Sequence, residues 1–418
     1  MTTTRVARGA ARSLMQAVRE AAAKGPGGRG AAARPRVLVV SAERRSRTSG
    51  SPASGARQGG RQGTRSVSDS HFSRLVEASL ASQGAQVLRF TLPAAVAAGV
   101  EPQASSVAAG VATLRRTGAD VVIGHGNSAV LSVAAALAAV SGSKPRDDAA
   151  LAAFFSIVED GRLVSARSKK PQDIDSAMAL PWVALPTLPS GGAEASSIVA
   201  LEDYDRERRL VRNFATVPEW VLADPEAIEK DLGDEDVNER KDILDARVIH
   251  FLLGRELELA LQPEAMRNQN ESKRTVQDLT YLVDAAEAQE QRDASKVAEI
   301  LFPESIAMGN KSRGLLPVAP HEIMAAALRD IMPVDFDLTC GSLLAGSLKM
   351  LSEEQNSTET AKAVREVLAK LPSCKGLLEQ GIIFDKEKHL RAASQVVDGA
   401  TRGKLRLEKV LQVYEEAL

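Results

Sequence analysis

Short apolar runs and helix-like patterns alternate along the first 225 residues. Four runs have the length and composition of buried strands, and apolar residues at helical spacing lie between them. Because parallel neighbours need crossover connections, this alternation predicts a doubly wound parallel sheet, a Rossmann-like α/β domain. We expect strands at 37–40, 86–90, 121–123 and 182–185, helices at 72–80 and 105–117, and a β-hairpin from 197–201 and 210–212.

The pattern changes after residue 225, where long helices with charged and apolar positions replace the strand signals. We therefore expect an α/β domain over 36–225 and an all-helical domain over 226–418. A ligand site is expected in the cleft between them. The predicted helical segments include 241–261, a pair within 275–302, 358–371 and 405–417.

Residues 1–35 differ from the rest because basic residues far outnumber the one acid, Glu20. Leu14, Met15 and Val18 make one apolar face of a short basic helix, a pattern typical of organellar transit peptides. A disordered basic tail is the alternative. The first interpretation predicts a mitochondrial or other organellar location; otherwise the protein is expected in the cytoplasm. Residues 43–70 are expected to form a low-complexity surface loop.

Composition narrows the classes of function. A chain of 418 residues with 44% apolar content exceeds one hydrophobic core, so two domains are expected. A net charge of −1 and an aromatic content of 3% argue against a nucleic-acid-binding protein. No uncharged apolar run reaches the length of about 18 residues that a membrane span needs. The two cysteines, Cys340 and Cys374, have no metal-like spacing.

The strand at 121–123 continues into Gly124-His125-Gly126-Asn127-Ser128 and then directly into an Ala-rich helix. Glycines let the backbone approach a ligand, and the first amides of a helix attract an anion. The segment therefore predicts a phosphate cradle with a nucleotide as its ligand. A plain tight turn, which also favours Gly, Asn and Ser, is the alternative. His125 is expected to face either the ligand or solvent, and His389, in a charged helical stretch, is expected at the surface.

Several blocks in a fixed order carry a family resemblance. Gly124 and Gly126 match a block Gly-x-Gly-Gly-Gly-Ser-x-x-Asp-x-x-Lys, and Pro186–Glu194 aligns without gaps with Pro-Thr-Thr-Ala-Gly-Thr-Gly-Ser-Glu. Residues 217–225 and 395–418 follow in the expected places. In these blocks the chain resembles the iron-containing alcohol dehydrogenase superfamily, which includes the maleylacetate reductases, over most of 36–418.

The resemblance implies an architecture like that of dehydroquinate synthase, with NAD or NADP held by the α/β domain. Ser41 stands where the family often has an acid against the adenine ribose. The arginines between 44 and 65 either meet the 2′-phosphate of NADP or belong to a solvated loop. The implied cofactor-binding residues are Ser41, Gly124, Gly126, Asn127, Ser128, Thr187 and Leu188.

The resemblance also implies a divalent metal, Fe or Zn, held by an Asp and a His four residues apart and by two further His. Here Asp245 is followed by Ile249 in the His position, and His250 is one residue too late to share a helix face with it. Ala307 replaces another ligand, whereas His321 in Pro-His-Glu matches the last. Two candidates, Asp245 and His321, are fewer than the three protein ligands usual for such sites. The sequence therefore predicts a degraded metal site.

Two functions from different classes stay open. The first is a divergent NAD(P)-dependent oxidoreductase acting on an unidentified small alcohol, hydroxy acid or carbonyl compound, with His321 as the acid or base. The second is a pseudoenzyme, a structural or regulatory subunit of a larger assembly; a homodimer is also expected as an option. An enzyme should have an open cavity lined by Gly126, Thr187 and His321, and a pseudoenzyme should fill that space.

Overall fold

The structure is a computed structural model, and it describes residues 2–7, 9–25, 34–42, 71–93, 96, 102–141, 179–187, 189, 192–202, 208–212, 214–225, 284, 288, 294–311, 320–329, 331–332, 336–355, 376–378, 382–383, 385–397 and 405–418. The segments 43–70, 241–261 and 358–371, for which the sequence predicts a loop and two helices, lie outside these residues. We call residues 2–225 the α/β half and residues 284–418 the helical half.

A six-stranded parallel sheet organises the α/β half. Its spatial order is β1-β8-β5-β4-β2-β3, and β6 and β7 form a separate antiparallel hairpin. The strands predicted from the apolar runs are confirmed, as is the hairpin. The strands are β1 Thr3–Val6, β2 Arg36–Ala42, β3 Gln86–Leu92, β4 Val121–Gly126, β5 Trp182–Pro186, β6 Ile198–Glu202, β7 Arg208–Arg212 and β8 Trp220–Ala223.

Helices cover both faces of the sheet, as a doubly wound fold requires. On one face the side chains of Val39 and Ile123 pack with α1 and α2; on the other, those of Leu38 and Val122 pack with α3 and α4. The alternation of side chains along each strand produces this division. These helices are α1 Leu14–Lys24, α2 His71–Ser82, α3 Ala104–Thr117 and α4 Ser128–Ser141.

Helix α4 is the most deeply buried helix of this half, with all residues from Ala129 to Val140 buried. Its alanines allow close packing: a Cβ placed on Gly124 of β4 would lie 2.7 Å from that of Ala134, and one on Gly110 of α3 would lie 2.5 Å from Leu137. The strand and the two helices therefore approach at a distance that only small residues permit.

The prediction that residues 1–35 are disordered is wrong for the described residues 2–7 and 9–25, which include a strand and a helix. Strand β1 pairs with β8 in parallel at the edge of the sheet, and Leu14, Met15 and Val18 of α1 are buried against the sheet. The carboxylate of Asp224 accepts hydrogen bonds from the amides of Gly9 (3.0 Å) and Ala11 (3.1 Å). The apolar face predicted from Leu14, Met15 and Val18 is a packing face of the fold.

Five helices make up most of the described helical half, which agrees with the predicted all-helical domain. Their bounds are α5 Ala294–Lys311, α6 Pro320–Arg329, α7 Phe336–Gln355, α8 Lys386–Gln395 and α9 Leu407–Glu416. Helix α5 continues through Pro303 beyond the predicted end at residue 302. Among the described residues, no helix has the length and hydropathy needed to cross a membrane.

Helix α5 joins the two halves. Leu301 belongs to the core of the helical half, whereas Phe302 and Ile306 belong to the core that α3 and α4 form over the sheet. A single helix thus packs into both cores.

His389, expected at the surface, is fully buried between α8 and α9. Its ring Nδ1 lies 2.8 Å from the carbonyl oxygen of Asp385, and its ring packs edge-on against Tyr414 at a centroid distance of 5.7 Å. Tyr414 in turn donates a hydrogen bond to the carbonyl of Met324 at 3.0 Å. His389 therefore has a structural role in packing helices, which a charged sequence neighbourhood concealed.

Candidate functional site

The sheet reverses its order of growth between β2 and β4. From β2 the chain adds β3 on one side and then β4 on the other, so the carboxyl ends of β2 and β4 form a topological switch point. Ligands of open α/β sheets bind at such a crevice. Ser41 lies near the end of β2, Gly126 ends β4, and Thr187 follows the end of β5. The topology therefore brings three predicted site residues to one edge of the sheet.

The turn between β4 and α4 opens at this edge. Gly126 and Asn127 are partly exposed, and Ser128, the first residue of α4, is exposed, whereas Ala129–Val140 are buried. The first turn of an α-helix presents amides and a positive dipole end. Gly126, Asn127 and Ser128 are thus accessible from solvent, whereas Gly124, also predicted to bind the cofactor, is buried.

Asn127 caps α4 with both its backbone and its side chain. The Leu131 amide donates to the Asn127 carbonyl at 3.0 Å, and the Val130 amide donates to the side-chain oxygen at 3.2 Å. The side-chain nitrogen donates to the Val96 carbonyl at 3.1 Å. Asn127 thus ties the start of α4 to the chain that leaves β3.

Glycine is required at position 126 because the first turn of α4 approaches this backbone closely. A Cβ on this residue would lie 2.8 Å from Cβ of Val130 on the first turn of α4. Its carbonyl accepts a hydrogen bond from the Thr187 amide at 3.0 Å, which fixes the exit of β5 beside the turn. The first glycine-containing block and the second block therefore meet, as their resemblance to a cofactor-binding domain implies.

His125 faces neither of its predicted surroundings. It is 3% exposed, and it alternates with Gly124, which packs on α4. Its side chain is consequently on the opposite face of the sheet, the face covered by α1 and α2. His125 does not contribute to the opening at α4.

The end of the second block contacts the helical half. The buried Glu194 accepts a hydrogen bond from the Ser305 hydroxyl of α5 at 2.9 Å, and the Gly192 amide donates to both side chains, at 3.1 and 3.0 Å. Gly309 packs so closely on this turn that a Cβ there would lie 2.2 Å from the Gly192 carbonyl oxygen. We call Gly192, Glu194, Ser305 and Gly309 the interdomain latch.

The sequence singled out Glu194 because it matches the second block, but it gave no signal for Ser305 or Gly309. Both lie in an ordinary-looking stretch of α5, more than 100 positions beyond their partner. Their role follows only from the packing of α5 on the sheet half.

His321, the candidate acid or base, is the second residue of α6 and is fully buried. Within the described part of the chain, no three His, Cys, Asp or Glu side chains are grouped so that they could hold a metal ion. Of the two predicted metal ligands, the described part of the chain therefore contains only His321. Two of the predicted site residues, Leu188 and Asp245, lie outside the described residues.

The described site consists of the start of α4 and the sheet edge formed by Ser41, Gly126 and Thr187. Its polar groups are hydroxyls and backbone amides, which suit phosphate and ribose groups. Of the three residues predicted to line an open cavity, Gly126 is partly exposed, Thr187 is 9% exposed and His321 is fully buried.

A family model described as iron-containing alcohol dehydrogenase matches residues 63–225, the larger part of the α/β half. No curated protein shows significant sequence similarity to the chain.

Solved structures of this kind share the fold over the whole chain. An alcohol dehydrogenase from an archaeal halo-thermophile of a Red Sea brine pool is 14% identical, with a TM-score of 0.68 over 100% of this chain and 97% of that one. The maleylacetate reductase of Rhizobium sp. strain MTP-10005 is 14% identical, with a TM-score of 0.65 over 100% and 96%. An iron-containing alcohol dehydrogenase from Thermotoga maritima is 16% identical, with a TM-score of 0.64 over 100% and 98%.

Proposed function

Since residues 63–225 match the iron-containing alcohol dehydrogenase family and the whole chain has that superfamily's fold, we propose that it is a divergent NAD(P)-dependent oxidoreductase. The observation that carries this proposal is the open start of α4 at the switch point of the sheet, where Gly126 and Asn127 are partly exposed and Ser128 is exposed. A dinucleotide laid along this edge would place its pyrophosphate at the start of α4.

The proposed substrate is a small alcohol or hydroxy acid, or the corresponding carbonyl compound. When bound, the nicotinamide supplies the hydride chemistry. The chain would hold the phosphates at the first amides of α4 and the Ser128 hydroxyl, and Thr187 would line the path towards the nicotinamide. His321 would exchange the proton at the substrate oxygen. The proposed reaction uses no resident metal, because Ile249 and Ala307 stand where the family has metal-binding histidines.

A second candidate function is a structural or regulatory subunit without catalysis. The complete burial of His321 favours it, because an acid or base must reach the substrate oxygen. The latch supports it too, since buried contacts fill the place where Glu194 meets α5. Such a subunit would act in a homodimer or in a larger, organellar or cytoplasmic assembly.

Titration calorimetry of the full-length protein with NAD⁺, NADH, NADP⁺ and NADPH, with and without Fe²⁺ or Zn²⁺, tests the first proposal. We expect binding of at least one dinucleotide without added metal. The Ser128→Glu variant should lose it, because a carboxylate at the start of α4 repels phosphate. The matched control is Ser82→Glu at the exposed end of α2, which should bind as the natural chain does.

Absence of binding in all conditions would overturn the oxidoreductase proposal. If binding is found, the oxidation of the bound reduced dinucleotide by a panel of small aldehydes and oxo acids separates the two candidates. Turnover that falls in His321→Asn supports the enzyme; binding without turnover of any substrate supports the subunit.

A further inference from the structure

The strongest further observation concerns the two side-chain hydrogen bonds of Asn127. Its oxygen accepts from the Val130 amide at 3.2 Å, and its nitrogen donates to the Val96 carbonyl at 3.1 Å. The first bond lies within the opening at α4, and the second leaves it towards another strand. The Asn127 side chain therefore contacts both the first turn of α4 and the chain that follows β3.

The bond to Val130 uses a helix amide in the first turn of α4. Amides of this turn are the donors that a bound phosphate engages. The side-chain oxygen of Asn127 carries partial negative charge, and it takes the role of an anion towards this amide. A phosphate oxygen that approached the Val130 amide would have to displace it.

The bond to Val96 crosses the switch point. Val96 follows β3, and β2 lies between β3 and β4 in the sheet. The bond from Asn127 to Val96 thus joins the chain after β4 to the chain after β3, the two strands that flank β2. Val96 is 5% exposed, and its amide donates to the Pro93 carbonyl at 2.9 Å, so its position is fixed by the fold.

We propose that Asn127 is a built-in competitor of the dinucleotide phosphate, and that it limits affinity at the site. This inference rests on the proposed function and deepens it. A dinucleotide binds by displacing the Asn127 side chain from the Val130 amide. The hydrogen bond from Asn127 to the Val96 carbonyl is then broken as well. A residue without a side chain at position 127 leaves both the amide and the space to the ligand.

The test compares the natural full-length chain with Asn127→Gly and Asn127→Asp by calorimetry with NADH and NADPH. Asn127→Gly should bind about tenfold more tightly, which corresponds to one additional charge-assisted hydrogen bond. Asn127→Asp should bind more weakly, because its carboxylate still caps Val130 and also repels the phosphate. Glycine is tolerated at helix N-caps, and thermal denaturation verifies that both variants fold.

The outcomes separate the inference from the proposed function. If the natural chain binds and Asn127→Gly binds equally or more weakly, the inference is overturned and the proposed function stands. If only Asn127→Gly binds, the inference is supported, and dinucleotide binding by the natural chain is refuted. If neither binds either dinucleotide, both are overturned.

Discussion

The Ser305 hydroxyl of the helical half donates a hydrogen bond to the Glu194 carboxylate of the α/β half across 2.9 Å, and both side chains are fully buried. The same hydroxyl accepts a hydrogen bond from the Gly192 amide at 3.0 Å. A buried carboxylate is stable only where donors surround it. The latch thus makes the folding of the Gly192–Glu194 turn depend on the position of α5.

Replacement of Ser305 by alanine should lower the free energy of unfolding by about 1–3 kcal/mol. The change deprives a buried carboxylate of a donor and leaves the cost of its burial. Urea unfolding followed by circular dichroism measures the loss. The control is Ser132→Ala, a buried serine on the Ala-rich helix α4. A Ser305→Ala variant as stable as Ser132→Ala would contradict the role given to the latch.

A methyl group at Gly309 should be more damaging than one elsewhere in a helix. Alanine at this position would place Cβ 2.2 Å from the Gly192 carbonyl oxygen, so the two backbones must separate. Overpacking of this kind costs about 1–3 kcal/mol or more. The matched control is Gly346→Ala on α7, whose new Cβ would meet Cγ1 of Val413 at 3.0 Å. That contact is longer than the contact of 2.2 Å at Gly309. Comparable losses of stability in the two variants would therefore refute the prediction.

Asp224→Ala should loosen the N-terminal segment. The carboxylate bonds to the Gly9 and Ala11 amides hold the turn between β1 and α1 against β8. Loss of a capping group costs about 0.5–2 kcal/mol, and it should raise hydrogen exchange in residues 3–24. Asp385→Ala, which removes the cap of α8, is the control. Exchange in 3–24 should not respond to the control; an equal response would show that the effect is global.

The packing of the N-terminal segment also concerns the cellular location of the protein. We propose that residues 2–25 are kept in the working protein, because removing them would expose the edge of β8 and the apolar face covered by α1. Mass spectrometry of the N-terminus of the protein purified from its source checks this: a chain that begins after residue 25 would overturn it.

Tyr414 should make stability fall at alkaline pH. Burial raises the pKa of its phenol, which in the unfolded chain is about 10. The free energy of unfolding is unaffected by this group below pH 10. It falls as the pH rises above 10, because the Tyr414 phenol ionises there only in the unfolded chain. Urea unfolding between about pH 7 and 11 measures the decline.

The Tyr414→Phe variant separates this titration from other alkaline effects. It should be about 1 kcal/mol less stable at neutral pH, since the Met324 carbonyl loses its donor. Above pH 10 its decline should be shallower than that of the natural chain. Parallel declines in the two proteins would show that Tyr414 does not control the alkaline loss.

The sheet could be predicted from sequence because burial on both faces requires continuous apolar strands such as Val121–Ile123 and Trp182–Leu185. Strand β1 could not be predicted, since Thr3–Val6 is an edge strand with little burial and its pairing depends on β8. The basic residues around α1 are solvated, and their number concealed the buried face.

In the candidate site, too, features set by neighbouring residues could be predicted, and features set by contacts between distant segments could not. Gly126 and Asn127 were found because a strand, a turn and a helix follow one another in the chain. Ser305 was missed because its contact with Glu194 is set by the packing of α5, and nothing near residue 305 encodes that packing. His389 was misjudged because its aromatic partner, Tyr414, belongs to another helix.

The pairing of β1 with β8 sets an order on folding during synthesis. The Thr2 hydroxyl donates to the Pro218 carbonyl, a partner 216 positions further along the chain. At usual rates of synthesis the ribosome needs on the order of ten seconds or more to make that stretch. Throughout that time the first strand has no neighbour, and α1 has only part of the surface it packs on. Residues 3–24 are therefore synthesised well before the strand that fixes them, and β1 gains its partner only when β8 has left the ribosome.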